Sequence, residues 1–248
     1  MLGIVKPRAV LVHGIRTSRT MWRSQIDHLA ARGIQAEAVD LPGHGARMTE
    51  SFTLAAAFST IDRAVQDAAA HAPVLLVGHS MGGLLSVAYA GREDAPPLAG
   101  FIGASCTALP RGAALATYRF LAQQFDALPD RGLWLSSQVL AATLPEDTRA
   151  DFEAGGYALD TQDIALGSLA ELDLTAALPR IHVPVWWING QFDQLRMHER
   201  LFQQLTPQSE LIVVPRTSHL VTAMRPRVFN ALLDVATATL ERDARPSS

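Results

Sequence analysis

The sequence predicts an α/β protein with a parallel sheet covered by helices on both faces. Two observations carry this. Short aliphatic and β-branched runs alternate along the chain with stretches of helical periodicity, the pattern of successive strand–helix units. The runs are also continuously apolar, as in "VLLV" at residues 74–77, which fits strands buried on both sides. A length of 248 residues suits one domain, or one domain with an insert.

"RAVLVHG" reads as a buried strand ending at Gly14, and "SRTMWRSQIDHLAARG" as a helix. In that helix Trp22, Ile26, Leu29 and Ala30 share a face, and Gly33 ends it. "IQAEAVDLPGHG" is a second strand running into a Gly/Pro loop. Leu54, Phe58, Ile61 and Val65 mark the next amphipathic helix, which stops before Pro73. "PVLLVGHS" is a third strand with a helix beginning near Ser80. "LAGFIGASC", "VPVWWING" and "ELIVVP" supply the fourth, fifth and sixth strands. A closing helix from Pro226 carries Phe229, Leu232, Leu233 and Ala236 on one face, and "RDARPSS" reads as a frayed tail.

Residues 107–178 break the rhythm. Tyr118, Leu121, Phe125 and Leu128 form a helical stripe, and "LWLSSQVLAATL" and "DIALGSLAELDLTAAL" are two further helical stretches. Extra core helices would explain them. A helical lid is the preferred reading, because both flanking strands end at the sheet edge where ligands of open α/β folds bind. The expected division is therefore a core of residues 1–106 and 179–248 with a lid of 107–178.

Composition excludes several classes. Hydrophobic residues make up 48% and charged residues 18%, an ordinary globular balance. The net charge is −3 with no Lys/Arg run, which argues against nucleic acid. The single cysteine, Cys106, leaves neither an internal disulfide framework nor a multi-cysteine metal site. No run approaches a membrane span, and the first residues lack the pattern of a signal peptide, so a cytoplasmic location is expected. Monomer and homodimer are both left open.

Gly78-His79-Ser80-Met81-Gly82 is a G-x-S-x-G pentapeptide between a buried strand and a helix. That context makes it a nucleophile elbow, a sharp turn that lifts Ser80 clear of the sheet while Gly78 and Gly82 permit close packing. Backbone amides suffice to hold an oxyanion. The Met81 N–H opens the elbow helix, and the Ile15 N–H follows the first strand. Ser80 needs a base. Of the eight histidines, His28 and His71 lie in helical segments away from the strand ends. His13 and His44 read as structural, His182 sits at the wrong sheet edge, and His198 reads as surface. His219 follows the last strand in the loop at its carboxyl end and meets the requirement. Asp193, a short turn after "VPVWWING", is the matching carboxylate. The preceding strand ends in "ASCTALP" with no acid, while Asp160, Asp163 and Asp173 are solvated by default. His79 should aim away from the Ser80 hydroxyl, since neighbouring strand residues face opposite ways.

The order Ser80, Asp193, His219, with "HG", "GHSMGG", "NGQFD" and "SH" in register, resembles the serine α/β-hydrolases over the whole chain. Only seven residues precede "RAVLV", so no N-terminal hairpin is expected and about six parallel strands with a lid remain. "VLVHGIRTSRTMW" and "AVDLPGHG" are similar to the small methylesterase and hydroxynitrile lyase group. Its lyases typically carry threonine at the Gly14 position and lysine after the histidine, where this chain has Leu220. The resemblance therefore implies a carboxylesterase, and the apolar lid stripe points to small to medium, mainly apolar esters as substrates, with no cofactor and no metal. A thioesterase, a lactonase or a carbon–carbon hydrolase or lyase would use the same three residues, and a non-catalytic ligand-binding protein could retain them. Tyr118, Leu121, Phe125, Trp134, Cys106 and Leu220 are candidate pocket residues, although aromatics at helical spacing are more often core and Cys106 reads equally well as an inert buried cysteine.

Overall fold

In a computed structural model the protein is described over residues 5–243, apart from the side chains of residues 113, 114, 117, 118, 121 and 125. The tail beyond Asp243 lies outside these residues. Six parallel strands form one sheet: β1 (Arg8–Val12), β2 (Ala36–Val39), β3 (Val74–His79), β4 (Gly100–Ala104), β5 (Val185–Gly190) and β6 (Ser209–Val214). Their spatial order is β2-β1-β3-β4-β5-β6. The chain steps from β1 out to β2, then returns to the other side of β1 as β3. The strand order therefore reverses between β1 and β3, and the carboxyl ends of these two strands flank the crevice where open α/β sheets bind ligands.

Strand alternation splits the core into two layers. Val10, Val12, Leu76, Phe101 and Trp187 face one side, while Ala9, Leu11, Leu75, Val77, Ile102, Trp186 and Ile188 face the other. Every residue of β3, β4 and β5 is buried. Each such aliphatic side chain contributes about 1.5–3 kcal/mol on burial, which holds the central strands and the loops at their ends in register.

Helices α1 (Arg23–Ala31), α2 (Leu54–Ala69) and α3 (Met81–Ala90) fill the first half. Thr53 caps α2 by accepting from the Ala56 amide. The expected face of the first helix shifts slightly: a 3₁₀ turn (Arg19–Trp22) precedes α1, Gln25 is buried against Asn230, and Ala30 faces solvent. Between β4 and β5 run α4 (Gly112–Asp126), α5 (Leu133–Thr143), α6 (Glu146–Glu153), α7 (Gln162–Leu169) and α8 (Leu174–Ala177). Sequence periodicity missed α6. Its signal was a proline at position 145 followed by Glu146 and Asp147 in the first turn, with Phe152 as the buried anchor. Helix α9 (Glu199–Leu205) joins β5 to β6, and α10 (Val221–Met224) and α11 (Pro226–Asp243) close the chain. Phe229, Leu233, Ala236 and Leu240 are the buried apolar positions of α11.

Among the described residues no helix is long and apolar enough to cross a membrane. Nor do three or more His, Cys, Asp or Glu side chains there form a group that could hold a metal ion.

Candidate active site

Ser80 stands at the turn between β3 and α3 with φ 52° and ψ −119°, a positive-φ conformation that costs a non-glycine residue strain. Packing pins it there. A Cβ on Gly82 would lie 2.3 Å from the His13 carbonyl oxygen and 2.5 Å from that of Val12, so α3 rests directly on the end of β1. The same contact brings the loop after β1 beside Ser80. A Cβ on Gly14 would fall 3.2 Å from the Ser80 Cβ and 2.9 Å from His79 Nδ1.

Three side chains from three strand ends meet in one hydrogen-bonded chain. The Ser80 hydroxyl lies 2.8 Å from His219 Nε2, and His219 Nδ1 lies 3.0 Å from Asp193 Oδ1. The geometry is consistent with Ser80 donating to Nε2 and Nδ1–H donating to the carboxylate. Ser80 and Asp193 are buried, while the His219 side chain keeps 18% of its surface exposed. Asp193 also accepts from the Leu195 amide at 2.8 Å. Burial alone would raise its pKa. The bond from His219, the attraction of that ring, the Leu195 amide and the nearby Ser105 hydroxyl outweigh burial and lower it. Asp193 is thus an anion at neutral pH, suited to orient an imidazole and to stabilise its protonated form.

The loops carrying Asp193 and His219 are zipped together. The Phe192 amide donates to the Thr217 carbonyl, and the Arg216 amide to the Gln191 side chain, each at 2.9 Å. A Cβ on Gly190 would lie 2.1 Å from the Ser218 carbonyl oxygen, so only glycine lets the two loops approach this closely. Asn189 bonds to Thr107 and to Glu199, and Glu199 pairs with Arg196, tying the loop after β5 to the loop after β4. His198, read from sequence as a surface residue, is half-buried. Its Nδ1 accepts from the Leu109 amide at 3.2 Å.

His79 does not contact the Ser80 hydroxyl. Its Nε2–H donates to the backbone carbonyl of His219 at 2.9 Å, and the two rings stand 5.1 Å apart. Burial, and repulsion from His219, push its pKa down to about 4, so the ring is neutral. No sequence signal announced this link, because it joins residues 140 positions apart.

Ile15 and Met81 follow β1 and Ser80 respectively. The Met81 amide is at the N-terminus of α3, and among the described residues the Ile15 amide has no protein acceptor. The candidate pocket residues separate. Leu220, next to His219, is half-buried against the α1/α11 core layer. Cys106 is a correction: it is fully buried beneath α3, packed against Gly83 and Gly103, with no surface for substrate. Burial raises its thiol pKa, with Asp193 adding to the effect. Trp134, offered as a pocket residue, is 68% exposed and so is not covered by its neighbours. The side chains of Tyr118, Leu121 and Phe125 lie outside the described residues.

The chain is similar to solved structures of varied chemistry. A thermophilic esterase from Thermogutta terrifontis aligns with a TM-score of 0.75 at 23% identity, over 96% of this chain and 91% of that one. An enol-lactonase from Burkholderia xenovorans aligns at 0.71 and 20%, over 94% and 92%. A bromoperoxidase from Bacillus anthracis aligns at 0.73 and 19%, over 93% and 91%. At these identities the likeness establishes the fold. No curated protein matches the chain in sequence. A family model, however, matches residues 9–232, from the first strand to the closing helix, and the chain belongs to the alpha/beta hydrolase family.

Proposed function

We propose that this protein is a serine carboxylic ester hydrolase for small to medium, mainly apolar esters. The observation that carries the reading is the continuous chain from Ser80 through His219 to Asp193, at 2.8 and 3.0 Å. Ser80 Oγ attacks the acyl carbonyl while its proton passes to His219 Nε2. The Ile15 and Met81 amides hold the oxyanion, each worth roughly 10²–10³ in rate. The tetrahedral adduct collapses, the bond to the alcohol oxygen breaks, and His219 returns the proton to the departing alcohol. A water then attacks the acyl-enzyme, giving its proton to His219, and the acid leaves as Ser80 recovers the hydrogen.

Leu220 supports hydrolysis over cyanide elimination, because an apolar side chain beside His219 supplies no charge for a departing anion. Residues 107–178 form the lid in this reading, and the esterase and lactonase among the structural neighbours are consistent with acyl chemistry.

The test is hydrolysis of a chain-length series of p-nitrophenyl esters, together with methyl esters, thioesters and lactones. Wild type is expected to turn over short esters. Ser80→Ala is expected to lose about 10⁶-fold in kcat. Full activity in Ser80→Ala, or no acyl transfer from any member of the panel to the wild type, would refute the proposal.

A further inference from the structure

We infer that His13 and Thr17 are positioning residues that lock the Gly14–Ile15 peptide so that the Ile15 N–H faces the Ser80 side of the crevice. The inference rests on the proposal that Ile15 is an oxyanion donor. In a trans peptide the carbonyl and the following N–H point in opposite directions, so fixing one fixes the other. Among the described residues every peptide bond is trans.

The Gly14 carbonyl oxygen accepts two hydrogen bonds, from His13 Nδ1–H at 2.7 Å and from the Thr17 hydroxyl at 2.9 Å. Both lone pairs of that oxygen are then used. His13 is fully buried and Thr17 nearly so, and neither bond competes with bulk water. Rotating the peptide would break both bonds at once. It would also point the Ile15 N–H at two donors that need an acceptor.

The His13 tautomer has an independent cause. Its Nε2 accepts from the Leu41 amide at 3.0 Å, and an amide can only donate. Nε2 is therefore bare, and the single ring proton sits on Nδ1, where it meets the Gly14 carbonyl. Burial, with repulsion from His44 and His79, lowers the His13 pKa to about 3, so this arrangement persists at any working pH.

The locked peptide is in the right place. Gly14 packs against Ser80, as the 3.2 Å approach of a Gly14 Cβ to the Ser80 Cβ shows. The residue after Ile15, Arg16, is left-handed at φ 63°, so the loop turns sharply just beyond the peptide. Without the two bonds, the peptide at the base of this turn would lose the contacts that hold its orientation. With them, the Ile15 donor is preorganised before substrate arrives, which is what makes an oxyanion donor effective.

The test pairs kinetics with spectroscopy. Thr17→Val keeps the side-chain shape and removes the hydroxyl. It is expected to lower kcat/KM for p-nitrophenyl acetate about 10- to 100-fold, less than the ~10²–10³ lost when a donor is removed outright. The loss should fall on kcat, with KM within about twofold of wild type on the same scale. Inhibition by an alkyl trifluoromethyl ketone, whose Ser80 adduct carries an oxyanion, should weaken by the same factor. Thr17→Ser should recover most of both. Wild-type kinetics in Thr17→Val, or lost activity without matching loss of ketone affinity, would overturn the lock. Independently of any variant's folding, imidazole nitrogen NMR of the wild type should show His13 protonated at Nδ1 from pH 5 to 9. An Nε2–H tautomer, or titration near pH 6.5, would also overturn it. If the wild type neither hydrolyses the ester nor binds the ketone, the esterase reading itself fails and takes the lock's purpose with it. If the wild type does both, failure of the Thr17 and NMR arms refutes the lock alone.

Discussion

Acidification from pH 7.5 to 5 should destabilise this protein by about 4 kcal/mol through two buried histidines, and His79→Gln should remove about half of that loss. In the unfolded chain each imidazole takes up a proton near its ordinary pKa of 6.5. In the folded protein burial, reinforced by His219, holds His79 neutral down to about 4. Burial, reinforced by His44 and His79, holds His13 neutral to about 3. Between 6.5 and these values the unfolded state binds more protons, so stability falls as the pH falls. The contribution is complete above 6.5 and drains away below it. At pH 5 the unfolded imidazole lies about 1.5 units below its pKa, which at ~1.36 kcal/mol per unit is about 2 kcal/mol for each ring. The substituted glutamine can still donate from its amide nitrogen to the His219 carbonyl, but it cannot titrate. His44, whose pKa is also lowered by burial, acts in the same direction in both proteins and cancels in the comparison. Urea unfolding at pH 7.5, 6.5, 5.5 and 5 measures the effect, and stopping at pH 5 keeps most carboxylates ionised. Equal slopes for wild type and His79→Gln, or a wild-type stability flat across this range, would refute the reasoning.

Three further outcomes are expected. Asp193→Asn should lower kcat on a p-nitrophenyl ester by about 10⁴-fold, because a carboxamide can present its NH₂ to His219 and favour the wrong tautomer. A loss below tenfold would remove Asp193 from the mechanism. Gly190→Ala places a Cβ 2.1 Å from the Ser218 carbonyl oxygen, so it should cost about 1–3 kcal/mol in urea unfolding and reduce kcat as the two loops part. Unchanged stability and rate would contradict the close approach. Cys106, buried and with a raised thiol pKa, should leave the native protein inert to a thiol-exchange reagent such as DTNB until denaturant exposes it. Rapid labelling of the native protein would contradict its burial.

Much of the architecture was legible because the chain advertises it locally. Strands such as β1 and β3 carry continuous aliphatic runs, and helices such as α2 and α11 carry apolar residues at the spacing that buries one face. The strand–helix alternation points to a parallel sheet, and a strand-end location singles out Ser80, Asp193 and His219 before any contact is seen. Helix α6 escaped because its sequence is mostly polar and it is anchored by Phe152 and Thr148 rather than by a periodic stripe. The exposure of Trp134 was not legible either, because nothing in its local sequence says whether a neighbour covers it, and in the fold it is 68% exposed.

The sequence by itself determined the alternation of elements, the sharp glycine-flanked turn at Ser80 and the placement of an acid and a histidine after the last two strands. Those are local properties, set by side-chain periodicity and by the few residues that tolerate a tight turn. Only the tertiary structure decided which polar groups meet. It joined His79 to the carbonyl of His219, His13 to the Leu41 amide, and the Asp193 loop to the His219 loop through Gly190. It also buried Cys106 and exposed Trp134. The physical reason is range. Hydrogen bonds and steric contacts act over a few ångströms, and the strand order β2-β1-β3-β4-β5-β6 brings residues from distant parts of the chain within that reach.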